Sequence, residues 1–212
     1  MGKEVQFTEE QYDEMAAATG WQGPLIAYDL VSSNLVPGQR ILDIGIGTGL
    51  SSKRFYEQGI QITGLDIDSK MLEACRKKGY ASELICHDLN DIPYPFEDSS
   101  FDHVVSTGVF QFFEVLEAIF GEVYRIMKNG GMFVFITGDL LSGNPDKIVV
   151  DPIHSGMDSP VTMYLHSIEK ITSWLNKNSF LLMKHCESFV YMDITRKNKL
   201  PLRIYLAVKT GT

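Results

Sequence analysis

The sequence predicts an α/β fold: one domain built on a mainly parallel sheet of seven strands, helices on both faces and an antiparallel last strand. Three observations carry this expectation. Ile41, Leu42 and Ile44 form an apolar run that leads into Gly45, Gly47 and Gly49 and then into helical sequence; a strand that ends in close-set glycines ahead of a helix lets backbone approach a ligand and aims N–H groups at it. Strand-like and helix-like segments alternate as far as Thr137, the rhythm of the crossover units that build parallel sheets. Met132 to Thr137 (MFVFIT) is apolar without alternation, as a strand covered on both faces must be.

Taken in order, Thr8 to Gln11 (TEEQ) has the form of a capping box and opens a helix that runs to about Ala18, where Gly20 stops it. Pro24 suits a first helical position; Leu25, Tyr28, Ser32 and Leu35 then share a face until Pro37-Gly38 forces a turn. After the glycine strand come a helix over Leu50 to Gln58 closed by Gly59, a β-branched strand over Ile60 to Leu65, and a helix with Met71, Leu72 and Cys75 on one face. Arg76, Lys77 and Lys78 lie at the C-terminal end of that helix, where they offset its dipole. Ser82 to Cys86 and Phe101 to Ser106 read as strands three and four. Phe112, Leu116, Ile119, Phe120, Val123, Ile126 and Met127 recur at helical spacing, the clearest amphipathic helix of the chain. Gly138 to Leu165 breaks the rhythm and reads as an irregular insertion, either a lid over the substrate or a long connection, with the lid favoured because long loops inside compact domains usually have a function. Ser167 to Asn176 resumes as helix. Leu181 to Met192 and Leu202 to Val208 form an antiparallel pair whose turn carries Arg196, Lys197 and Lys199, read as a solvated basic tip.

The 212 residues, 44% hydrophobic and 22% charged, suffice for one sizeable core. A formal net charge of −8 opposes phosphate-rich partners and disfavours nucleic acid as substrate. Cys75, Cys86 and Cys186 lack metal-ligand spacing and fall in helices or strands, so we expect reduced, buried thiols, no metal and a cytoplasmic protein. Neither a signal-peptide pattern nor an apolar run long enough to span a bilayer is present.

A dinucleotide-binding reading of the glycine turn fails at Leu50, which stands where that fingerprint needs its third glycine or alanine. Asp43, Gly45, Gly47 and Gly49, with Asp66 at the end of the next strand, instead resemble the motifs of class I S-adenosylmethionine-dependent methyltransferases of the small-molecule, quinone-biosynthesis type, whose fold is Rossmann-like. The resemblance extends through Asp88-Leu89, Phe101-Asp102, Met127 to Gly131 and the segment from His166 to Phe180. It implies a role for each position. The backbone of Gly45, Ile46 and Gly47 would approach the methionine and ribose of the cofactor, and Asp43 would orient its amino group. Asp66 would accept both ribose hydroxyls, Ile67 and Met71 would pack on the adenine, and Asp88 would accept from its amino group beside the Leu89 backbone. Thr107 backbone would meet the methionine end, and the ring of Tyr12, in a Tyr12-Asp13 pair, would cover the cofactor. Structural alternatives stand beside these: Asp43 binding backbone at its strand end, Asp66 as a turn residue before a helix capped by Asp68, Met71 as core, and Tyr12 on a surface helix.

The resemblance thus implies methyl transfer from S-adenosylmethionine, leaving S-adenosylhomocysteine, to a small-molecule acceptor. A protein methyltransferase or a non-catalytic binder of the cofactor is the alternative. Of the five histidines only His154, in the insertion, is placed like a base. Where family members often carry paired histidines after strand four, this chain has Phe110-Gln111-Phe112, which leaves the acceptor open and favours an apolar or planar molecule.

Overall fold

The central strand, β1 (Arg40–Ile44), is apolar on both faces around Asp43, and both its edges are paired in parallel, by β2 (Gln61–Asp66) and β4 (Phe101–Ser106). The computed structural model describes residues 9–150, 160–192 and 194–211. In it β3 (Glu83–Cys86) extends the sheet beyond β2, and β5 (Met127–Asp139) lies on the far side of β4, giving the parallel order β3-β2-β1-β4-β5. The other edge of β5 is shared. β9 (Lys199–Lys209) runs antiparallel along Met132 to Gly138, and β7 (Val161–His166) pairs in parallel at Gly138 and Asp139. β8 (Phe180–Tyr191) closes the sheet against β9, and β6 (Lys147–Val150) pairs with β7.

The sheet is therefore mainly parallel with a reversed last strand, as expected, but nine strands rather than seven occur among the described residues. The two additional strands lie in the segment expected to be irregular. Gly143, Pro145 and Asp146 lie in a turn over 142–146, whereas the β-branched stretches KIVV and VTMYLH pair with each other.

Helices α1 (Glu9–Ala18), α2 (Gly23–Val31), α3 (Ser52–Glu57), α4 (Ser69–Lys78), α5 (Glu117–Ile126) and α6 (Ile168–Lys177) match the predicted segments, while the Thr8 cap lies outside the described residues. Two details differ. α2 buries Gly23, Ala27 and Val31 rather than the face through Leu25 and Ser32, because Gly23 lets the helix sit close on Trp21 and Ile136. The long amphipathic stretch is broken: Phe110–Phe112 is a 3-10 turn, Phe113 is extended, and α5 starts only at Glu117, although Leu116, Ile119, Phe120, Val123 and Ile126 are buried as predicted.

Strand alternation divides the core. Leu42, Ile44, Phe133 and Phe135 face α5 and α6, whereas Ile41, Ile62, Val134 and Ile136 face α2, α3 and α4. On the first face Phe133 stacks on Phe135 at 4.5 Å, and Phe135 stacks on Tyr205 at 5.0 Å. Of the cysteines only Cys75 is buried. Cys186 is half-buried, and Cys86 is exposed because β3 is an edge strand, against the expectation of three buried thiols. No helix among the described residues is long and apolar enough to cross a membrane.

Candidate active site

Parallel order brings the C-terminal ends of β3, β2, β1 and β4 side by side, which collects Asp88, Asp66, the 43–47 turn and Thr107 along one edge of the sheet. The turn itself differs from the sequence-based expectation. Its amides are not free: the N–H groups of Gly45 and Ile46 donate to the Leu65 carbonyl at 2.7 and 3.0 Å, and that of Gly47 donates to Asp66 Oδ2 at 2.8 Å. The cause is register. Ile44 pairs with Leu65, so β2 outruns β1 by one residue and its last acceptors capture the turn. Gly45 and Gly47 both have positive φ, 69° and 54°, yet they serve differently. A Cβ on Gly45 would lie 2.0 Å from Val109, whereas one on Gly47 would meet no atom within 4 Å. Gly45 is a packing requirement; Gly47 leaves an open cradle.

Asp43 is fully buried. Its Oδ2 accepts from the Ser52 hydroxyl at 2.7 Å, and its Oδ1 has no hydrogen-bond partner among the described residues. Burial pushes the carboxyl up to about 7, opposed by the Ser52 bond and reinforced by the charge of Asp66. Asp66 is also raised by burial, while the amides of Asp68 and Gly47 pull it back; its Oδ1 accepts the Asp68 N–H at 2.9 Å. Asp68 caps α4 by accepting from Lys70 and Met71 amides at 2.8 and 3.3 Å. Ile67, 65% exposed, projects beyond β2, and Met71 is half-buried while Leu72 and Cys75 supply the core face of α4. Asp88 Oδ1 is held by the backbone and side chain of Asn90, both at 2.9 Å. Leu89 is buried, with its carbonyl accepting from Tyr94 at 3.3 Å. The Ile46 side chain packs on Gly64, so only its backbone faces the turn. The Thr107 and Ser51 hydroxyls bond each other.

Helix α1 is tied over this edge. Asp13 accepts from the Thr48 hydroxyl at 2.5 Å and pairs with Lys78 on α4. Arg196, in the β8–β9 turn, donates to the Ala18 carbonyl at 3.0 and 2.8 Å and so closes the C-terminal end of α1. The basic tip is thus partly a latch, not simply a solvated turn. Tyr12 is carried on the same helix. Burial raises its phenol, and the charges of Asp66 and Asp13 add to the shift.

Beside Tyr12 and Gly108 lies a cavity of about 190 Å³ whose walls include Trp21, Gln111, Phe112, Met163 and Tyr191. No charged side chain lines it among the described residues. The sequence reading did not single out Gln111 as a site residue; the available signal was one amide between two phenylalanines just after β4. None of the described histidines lines the cavity. His103 Nδ1 accepts the Met132 N–H at 3.1 Å, His166 bonds Thr137 at 2.9 Å, His185 faces Arg203, and His87 bonds the Asp91 carbonyl. His154 lies outside the described residues. These contain no cluster suited to a metal ion. The residues do suit a cationic, hydroxyl-bearing cofactor: an unpartnered buried carboxylate oxygen at Asp43, an open cradle at Gly47, and a second carboxylate at the end of β2.

Comparison with known proteins agrees with this geometry. Residues 42–135 match the methyltransferase domain family. The chain is 35% identical over 101 residues to malonyl-[acyl-carrier protein] O-methyltransferase of Serratia marcescens, covering 48% of this chain and 39% of that protein. It is 29% identical over 172 residues to demethylmenaquinone methyltransferase of Renibacterium salmoninarum, covering 77% of this chain and 70% of that protein. The match thus spans about two fifths of the first relative and more than two thirds of the second. A methyltransferase structure from Methanosarcina mazei superposes with a TM-score of 0.72 at 18% identity, over 87% of this chain and 99% of that one, which supports the fold. Sheet order, the glycine turn with its two carboxylates, and these matches together make the chain similar to class I S-adenosylmethionine-dependent methyltransferases, with the family match itself carried by residues 42–135.

Proposed function

We propose that the chain transfers a methyl group from S-adenosylmethionine to an uncharged, largely apolar small molecule held in the cavity beside Tyr12. The observation that carries this reading is the cavity wall, mainly aromatic and aliphatic, without a charged side chain among the described residues and adjoining the end of β4. Burying an unpaired carboxylate or phosphate there would cost several kcal/mol, at least roughly 3. Of the acceptors named for the relatives, demethylmenaquinone suits such a wall better than a malonyl carboxylate. In this reading the chain acts as one domain in the cytoplasm, with α1 and the 138–165 insertion on the acceptor side. The three unpaired cysteines agree with that compartment.

The cofactor supplies an electrophilic methyl on a sulfonium, whose positive charge disappears as the methyl leaves. What the protein contributes is alignment and exclusion of water, and positioning alone can supply about 7 to 11 kcal/mol. Asp66 accepts the ribose hydroxyls beside the amides it already holds, since a carboxylate has lone pairs for both. Asp43 meets the ammonium through its unpartnered oxygen, directly or through water, and the Thr107 backbone lies near the same end. Ile67 and Met71 cover the adenine, Asp88 and the Leu89 backbone bind its edge, and the Gly45-Ile46-Gly47 backbone borders the ribose and methionine. Tyr12, held down by Asp13, separates this half of the site from the acceptor cavity and shields it from water.

Calorimetric titration with S-adenosylmethionine, S-adenosylhomocysteine and NAD tests the reading. Micromolar binding of the first two without NAD is expected; binding of NAD alone would overturn it. Asp66→Ala should weaken S-adenosylhomocysteine binding by about 1.5 to 3 kcal/mol, the range for a lost charged hydrogen bond. Unchanged affinity in that variant would mean that the ribose lies elsewhere.

A further inference from the structure

Gln111 is the feature of the cavity that packing does not explain. It sits on the 3-10 turn after β4 between Phe110, which enters the core, and Phe112, which lines the cavity with it. Its side chain is only 7% exposed, and its Oε1 has no hydrogen-bond partner among the described residues. A buried amide oxygen left unpaired in an apolar wall is unfavourable, so its retention calls for a partner that arrives with a ligand. Of the other wall residues with polar groups, Tyr12, Tyr191 and Trp21 present donors on aromatic rings, and the Thr19 hydroxyl is engaged by the carbonyls of Met15 and Ala16 at 2.8 and 3.2 Å.

We propose that Gln111 is the specificity-determining residue of the acceptor cavity: its amide oxygen accepts a hydrogen bond from a hydroxyl or N–H on an otherwise apolar ring and so orients that ring toward the methyl donor. This rests on the cavity being the acceptor site. The amide carries no net charge, so it selects for a neutral donor group without charging the wall. It also selects against a fully apolar analogue, which would leave the oxygen unpaired. Its place one turn beyond Thr107 ties orientation of the acceptor to the strand end at which the methionine end of the cofactor is proposed to lie.

The test uses the full chain saturated with S-adenosylhomocysteine and two probes of matched shape, 2-naphthol and 2-methylnaphthalene, with binding followed by quenching of Trp21 in the cavity wall. Gln111→Leu preserves side-chain size and removes the acceptor. Wild-type protein should prefer 2-naphthol, and the preference should fall about five- to tenfold in Gln111→Leu through weaker naphthol binding alone, the size expected for one buried neutral hydrogen bond. Gln111→Asn, with an amide on a shorter arm, should retain part of the preference. An equal preference in wild type and Gln111→Leu would overturn the proposal, as would failure of both probes to bind. S-adenosylhomocysteine affinity, measured separately, should be the same in wild type and Gln111→Leu; its absence from wild type would instead defeat the methyltransferase reading.

Discussion

Asp139→Ala is expected to destabilise the fold by about 3 kcal/mol, because it strands a buried guanidinium. Asp139, at the end of β5, is 2% exposed, and Arg203, on β9, is 9% exposed. The two form a bidentate pair, Nε to Oδ1 at 2.9 Å and Nη2 to Oδ2 at 2.8 Å. Arg203 is held charged by that hydrogen-bonded carboxylate, and Tyr205 next to it is pushed above its ordinary range by burial and by the Asp139 charge. Glu187, largely exposed, gives Arg203 a second partner at 3.1 Å, which places the expected loss at the lower end of the range for breaking a buried pair. Removing both charges is a different perturbation. Asp139→Leu combined with Arg203→Met takes away the pair and its desolvation together and should come within about 1 kcal/mol of wild type. Urea unfolding of the single and double variants decides the matter. A loss well under 1 kcal/mol in Asp139→Ala would show that the guanidinium reaches water when its partner is gone.

The second large effect concerns pH. Asp43 is raised from its ordinary value to about 7 by burial. Between about pH 4 and 7 the unfolded chain therefore releases a proton that the folded chain keeps, and stability falls as pH rises through this window. Above pH 7 both states are ionised at this position and the loss is complete, at most about 4 kcal/mol for a shift of this size. Asp43→Asn keeps an acceptor for Ser52 without the charge. It should match wild type near pH 4 and exceed it increasingly up to about pH 7, after which the difference is constant. His103 and His166 act in the opposite sense, since burial lowers both and their stabilisation is lost as pH falls. They are present in both proteins and cancel in the difference. Thermal unfolding of the pair across this pH range is the measurement, and a gap that does not vary with pH would show Asp43 to be ionised throughout.

What the sequence by itself determined is the part governed by local patterning. The alternation of elements, the glycine that ends α4, the Asp68 cap and the doubly covered β5 all follow from periodicity and backbone preference, and the structure repeats them. Asp43, Asp66, Asp88 and Thr107 stand at or near strand ends, positions that the pattern fixes, but their nomination as site residues came from the resemblance to methyltransferase motifs. The tertiary structure alone decided how those residues are used. That the Gly45 to Gly47 amides are consumed by β2 depends on a register offset of one residue between two strands whose paired residues lie 21 positions apart. The pairing of β6 with β7, the latch from Arg196 to Ala18, and the meeting of Asp139 with Arg203 join segments whose separation in sequence carries no local signal. Gln111 is the clearest case. An amide between phenylalanines is legible as a sequence, but its lack of a partner is a property of everything packed around it.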